Sequence, residues 1–167
     1  MQHIPHYENL PSGWAACKLE EIIEYEQPQQ YIVESTAYSD EYEIPVLTPG
    51  KSFILGYTDE AFGVYRGPFP IIIFDDFTTE SKVIDFPFKV KSSAMKILHP
   101  ASEIEIQYVQ YFMSITKLVG ETHKRYWISE YSKLIIPIPP REEQKRIVAA
   151  VNEYFAVIDR IVCSLQQ

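Results

Sequence analysis

Glu80-Ser81-Lys82 sets an acid two residues ahead of a lysine, a spacing found in many metal-dependent nucleases, and Asp59, Asp75 or Asp76 could supply the second acid for a magnesium ion. Such three-residue patterns arise often by chance, and Asp75, Asp76 and Glu80 better suit a capped, solvated turn between strands. A second group runs from Glu121 to Ser132 and continues into Lys133. There Arg125 has the forked donors that match a guanine edge, Lys124 and Lys133 can meet phosphates, and Tyr126 and Trp127 can supply stacking or sugar contacts. The plainer reading of this stretch keeps Trp127 and Tyr131 in the core and exposes only its charges. A third group, Lys89, Lys91, Ser92 and Ser93, is either a second polar contact edge or an ordinary solvated strand face. The histidines His3, His6, His99 and His123 lack ligand spacing. Cys17 and Cys163 are too few for a disulfide framework or a paired-cysteine metal site, and both are expected to be reduced and structural. Without a Gly-rich phosphate loop, a nucleophile elbow or a methyltransferase cofactor loop, neither cofactor nor catalysis is expected.

Apolar patterning supplies the scaffold for these groups. Leu10-Pro11-Ser12-Gly13-Trp14 reads as a turn pinning an aromatic anchor, followed by a short amphipathic segment, Leu19 to Tyr25. Ile44 to Tyr57 reads as strand, turn and strand, with Pro49 and Gly50 in the turn. The continuous apolar run Phe69 to Phe74 predicts a buried strand, and alternation through Val83, Ile84, Phe86 and Phe88 predicts further strands as far as Leu98, ended by His99, Pro100 and Ala101. From Ile104 to Leu118, apolar residues fall three and four apart, which predicts a helix packed on the sheet. A last strand, Leu134 to Ile138, stops at a run of prolines.

The most regular pattern follows. Ile147, Val151, Tyr154, Ile158, Ile161 and Leu165 form a seam stepping by four and three residues, with Val148, Phe155 and Val162 in a second stripe every seven. Pro140 can open this helix, and Glu142 and Glu143 suit its first turn. A helix from Arg141 to Leu165 would extend roughly 37 Å at 1.5 Å per residue. It either folds back on the sheet or projects and needs a partner; the glycine-free hinge and three heptads favour projection. The fold class expected is therefore α+β, with a mixed sheet-and-helix domain over 1–138 and a projecting coiled-coil helix over 139–167.

With 46% apolar and 14% aromatic residues the chain can bury a real core. The net charge of -8 argues against a polyanionic partner, but its distribution tempers that. Residues 1–45 hold nine acids against Lys18 alone, whereas Lys82 to Lys133 holds eight bases against five acids. No signal-like start or membrane-length apolar run is read in the sequence, so a soluble, cytoplasmic protein without a membrane partner is expected.

Taken in order, Leu10-Pro11-Ser12-Gly13-Trp14, Ile44-Pro45-Val46-Leu47 with Pro49-Gly50, Phe74-Asp75-Asp76-Phe77-Thr78, and Ile136-Pro137-Ile138-Pro139-Pro140 leading into Glu143-Gln144-Lys145-Arg146-Ile147-Val148 resemble the specificity subunits of type I restriction-modification enzymes. The resemblance covers nearly the whole chain. Its most specific part is the proline-rich strand end running into Glu143-Gln144, which looks like the conserved spacer helix; the Phe74 to Thr78 block looks like one class of target recognition domain. What the resemblance implies is a non-catalytic subunit whose two recognition domains each read half of a split double-stranded DNA site, held apart by paired helices. Separate methyltransferase and restriction subunits would do the chemistry. It also implies recognition contacts in the stretch before the last strand. One such half stands here, as a fragment or as a half-size subunit that forms a homodimer through its helix seam. The competing expectations are a protein docking module without DNA affinity of its own, and the magnesium-dependent nuclease.

Overall fold

The structure, a computed structural model, describes residues 7, 9–48, 52–118 and 124–166. At its centre lies a four-stranded antiparallel sheet of β2 (Ile23–Glu26), β8 (Met95–Pro100), β5 (Ile71–Asp75) and β6 (Ser81–Ile84), in that order. All five residues of β5 are buried because both faces of the sheet are covered. Alternation sends Ile72 and Phe74 into one core with Leu98, Trp127 and Tyr131, and Ile71 and Ile73 into another with Leu47, Tyr65 and Phe88. The unbroken apolar run is thus the signature of a strand buried on two sides. Contrary to expectation, β8 continues through His99 and Pro100, which pair with Glu24 and Ile23 of β2.

The second core is closed by a three-stranded sheet in which β3 (Ile44–Leu47) pairs antiparallel with β4 (Ile54–Thr58) and parallel with β7 (Lys89–Val90). The turn expected at Pro49 and Gly50 lies outside the described residues. The short segment after Trp14 divides into β1 (Ala15–Lys18), a single turn α1 (Leu19–Ile22) and then β2, with Leu19 fully buried.

The first core is covered by α2 (Ile106–Ile115), shorter than the stretch 104–118 that periodicity suggests. Its buried face is Tyr108, Val109, Phe112 and Met113, while Ile115, expected on that face, is 84% exposed. β9 (Ile135–Ile138) pairs antiparallel with β1, joining the two ends of the sheet-bearing region. Gly13, at φ +84, makes the turn into β1 close beside Pro140.

α3 (Arg141–Leu165) starts from Pro140, and one side chain fixes its direction. Buried Gln144 accepts from the Glu105 backbone N–H at 2.8 Å and donates to the Pro139 carbonyl at 2.9 Å, tying α3 to the start of α2. Tyr108 adds a hydrogen bond to the Pro137 carbonyl at 2.6 Å, and Tyr111 bonds Asn152 one side-chain layer further out. Ile147 and Val148 pack on the core and Val151 is half-buried; from Asn152 to Gln166 every residue is exposed. The helix projects rather than folding back, so the seam is split. Its first two residues rest on the domain, and Tyr154, Ile158, Ile161 and Leu165 stand in water.

Candidate nucleic-acid interface

Where β5 ends, two adjacent acids turn opposite ways. The Asp75 carboxylate accepts from the Phe77 and Thr78 backbone N–H groups at 3.0 and 3.3 Å and from the Thr78 hydroxyl, which closes the turn into β6. Thr79 completes it in a left-handed conformation, at φ 58. Asp76 points inward. Its Oδ1 accepts from the Trp127 backbone N–H at 2.7 Å, its Oδ2 lies 3.2 Å from the Lys96 ammonium, and its own backbone bonds the Ala94 carbonyl and the Tyr126 N–H. The side chains of Asp76 and Lys96 are only 2% and 1% exposed, so this is a desolvated ion pair. The turn is clamped between the segment before β8 and the segment 124–127.

Arg125 lies over this clamp. Its Nη1 donates to the Ser93 carbonyl at 3.2 Å and its Nη2 to the Ser93 hydroxyl at 3.3 Å, and Asp76 Oδ2 lies 4.0 Å from Nη1. The guanidinium carbon sits 5.6 Å from the centre of the Phe77 ring, and half of the arginine side chain remains exposed. Two stretches singled out separately in the sequence are therefore one surface, because Ser93 holds Arg125.

The remaining candidates separate. Lys89 is not on the surface at all: it is 0% exposed, its ammonium pairs with Glu60 at 2.7 Å, and it donates to the Phe62 carbonyl. The reason is that both faces of β7 are covered: Val90 packs into the second core, while Lys89, on the opposite face, is enclosed by Glu60 and Phe62. Burial pushes the Glu60 carboxyl up, but the Lys89 ammonium and the Ser35 and Glu34 backbone N–H groups outweigh that and hold it below its ordinary value. Tyr126 is buried too, which removes the stacking role expected of it, and the Lys124 ammonium lies 5.5 Å above its ring. Lys124 also pairs with Glu130. Trp127 and Tyr131 are core, as the plainer reading had it. Lys91 is half-buried and donates to the Tyr38 hydroxyl at 3.3 Å, Ser92 accepts from the Ala94 N–H at 3.3 Å, and exposed Lys133 donates to the Ser129 carbonyl at 2.9 Å. His3, His6, Glu121 and His123 lie outside the described residues. Cys17 is half-buried and Cys163 is exposed on α3.

Glu80 does not join Asp75 and Asp76 in a metal-binding arrangement. It pairs with Lys117 at 2.8 Å, Asp75 is occupied by its turn, and the described residues contain no cluster of three His, Cys, Asp or Glu able to share an ion. Sequence reasoning missed Asp76 and Lys96 as the organisers of this surface. The available signal was a pair of acids at the end of a wholly apolar strand, where one must be either solvated or paired.

The sequence pattern of the type I restriction modification DNA specificity domain matches residues 11–162. The chain belongs to that family. It is 45% identical over 169 residues to the specificity subunit of the Escherichia coli type I restriction enzymes EcoR124I and EcoR124II, covering 96% of this chain and 41% of that one. The chain thus spans well under half the length of this relative. Among solved structures, the HsdS subunit from Thermoanaerobacter tengcongensis superposes with a TM-score of 0.61 over 98% of this chain and 42% of its own, at 19% identity. The type I restriction-modification S subunit from M. genitalium gives 0.64 over 93% and 42%, at 14% identity. A chain from a solved type I R-M system, described for its complex assembly and conformational transition, gives 0.68 over 93% and 41%, at 19% identity. These likenesses establish the specificity-subunit fold, including the mixed sheet-and-helix body and the long terminal helix.

Proposed function

We propose that this specificity-family chain reads one half of a bipartite double-stranded DNA target, carries no catalysis itself, and directs partner methyltransferase and restriction subunits to that target. The observation that carries the reading is Arg125, a forked donor held by Ser93 and Asp76 yet half exposed, since base readout needs such a group on a rigid platform. Lys91, Ser92, Ser93, Lys124 and Lys133 are the accompanying polar contacts, the lysines facing phosphates. Residues 1–138 act as the recognition domain and 139–167 as the spacer, whose apolar seam pairs with a second copy or a second recognition half. Two domains oriented by paired helices then read successive grooves, and helix length sets the gap between half-sites. On this reading the chain works in the cytoplasm, alongside the DNA.

The test is selection from a randomised duplex pool at two salt concentrations, followed by affinity measurements on the enriched site. A short enriched motif is expected, above all an inverted repeat of fixed spacing. Arg125→Ala should weaken specific binding by about 1 to 3 kcal/mol and hardly change non-specific binding. Equal loss of both would remove Arg125 from base readout, and salt-sensitive binding without enrichment would remove the specificity role.

A further inference from the structure

The structure assigns Phe77 as the residue that detects a pyrimidine 5-methyl group in the base pair adjoining the guanine read by Arg125, which rests on the DNA-reading function above. Phe77 sits at the tip of the β5–β6 turn, where 36% exposure is high for so apolar a ring. It is not a loose surface residue. Asp75 holds the turn on one side through the Phe77 and Thr78 N–H groups, and Asp76 anchors the other through Trp127 and Lys96. Ring and guanidinium are therefore presented together, 5.6 Å apart, by two segments that Asp76 joins through Trp127 and Tyr126.

The arginine's donors show which way the pair faces. Ser93 takes one hydrogen from each of Nη1 and Nη2, and Asp76 lies towards Nη1. Nε has no acceptor among the described residues, and Nη2 keeps a second hydrogen, so the Nε–Nη2 edge remains as a fork for the O6 and N7 atoms of guanine. Neighbouring bases on a strand are about 3.4 Å apart, so a ring packed beside that guanidinium falls against the next base pair. In the major groove the one apolar feature there is the thymine 5-methyl group, a recognised contact for phenylalanine. Cytosine lacks it, and 5-methylcytosine carries it at the same position. Arg125 is prefixed by Ser93 and Phe77 by its turn, so little conformational freedom is lost when the pair meets DNA.

The experiment runs the randomised-pool selection with the full chain twice, once with thymine and once with deoxyuridine replacing every thymine. Affinities of wild type, Phe77→Ala and Phe77→Leu are then measured on the enriched duplex, with single thymines changed to deoxyuridine and, separately, to cytosine or 5-methylcytosine. For wild type, removing the methyl beside the key guanine is expected to cost about fourfold, the worth of one methyl group withdrawn from water, and 5-methylcytosine should bind better than cytosine. Phe77→Ala should abolish both differences while Arg125 still selects guanine, and Phe77→Leu, which keeps an apolar contact, should retain part of them. An enriched motif with no methyl-sensitive position next to guanine, or a Phe77→Ala protein that keeps the preference, overturns the assignment and leaves the DNA-reading function standing. Failure to enrich any motif overturns both.

Discussion

Lys96→Met removes the ammonium from the pair beneath the proposed recognition surface while keeping most of the side-chain volume. The Asp76 carboxylate is then left buried with one hydrogen-bond donor, the Trp127 N–H at 2.7 Å, and Arg125 at 4.0 Å as its remaining positive neighbour. Breaking a buried pair by deleting one partner typically costs about 3 to 5 kcal/mol. Arg125 is half exposed and screened, so it compensates only in part, and a loss near ~3 kcal/mol is expected. For a chain of this size that lowers Tm by roughly 6 to 12 °C, at about 2 to 4 °C per kcal/mol. Urea unfolding followed by tryptophan fluorescence, at fixed protein concentration because the helix seam can associate, measures it. The double variant Lys96→Met, Asp76→Asn is the decisive comparison. Asparagine keeps the Oδ1 acceptor for Trp127 but not the charge, and should restore stability to within about 1 kcal/mol of wild type, since desolvation and attraction largely cancel in such pairs. A single variant that loses less than about 1 kcal/mol, or a double variant no more stable than the single, would refute a desolvated charge pair as what clamps the turn.

Two further outcomes follow from the same geometry. Ile158→Glu places a charge in the exposed part of the seam and should weaken helix-mediated association at least about 100-fold, from one apolar contact of about 1.5 kcal/mol lost on each of two helices, while leaving Tm unchanged at concentrations too low for association; unchanged sedimentation would sink the seam as the pairing surface. Glu60→Gln should destabilise the protein at neutral pH, because a carboxyl whose pKa is held down in the folded state stabilises above its unfolded value near 4.5 and loses that contribution as pH falls through the folded value. Wild type and variant should converge under acid, and a gap that stays constant down the acid limb would contradict the assignment.

The elements were legible where burial and periodicity agreed. β5 announced itself because both of its faces are covered, and α3 because its seam repeats over three heptads. The ends of elements were less legible: Pro100 looked like a terminator, yet it occupies a sheet position opposite Ile23 that a proline can fill. Site residues were read by type, and type does not carry burial. Lys89 and Lys91 look alike in sequence, but Lys89 lies within β7 and is buried in a pair with Glu60, whereas Lys91 lies past the end of the strand, half-buried beside Tyr38. Asp75 and Asp76 could not be told apart either, because one makes only local bonds while the other finds its partners 20 and 51 residues away.

The proposed reading of a split site would demand that Arg125 and α3 keep a fixed relation, and the hydrogen bonds supply one. From α3, Gln144 fixes the start of α2; from the end of α2, the Met113 and Thr116 carbonyls accept from the buried Tyr131 hydroxyl at 3.2 and 2.7 Å. Tyr131 packs against Trp127, whose backbone is bound by Asp76, and Asp76 borders Arg125. Gln144, Tyr131 and Asp76 are buried polar groups in this path, and releasing any of them would leave an unsatisfied donor or acceptor costing about 1 to 3 kcal/mol. The Tyr131–Trp127 link is ring packing, and only the last residue, Arg125, is half exposed. If, as proposed, the seam pairs two such domains, it would also orient two arginines, and the distance between half-sites would be a property of the folded chain rather than of a flexible connection.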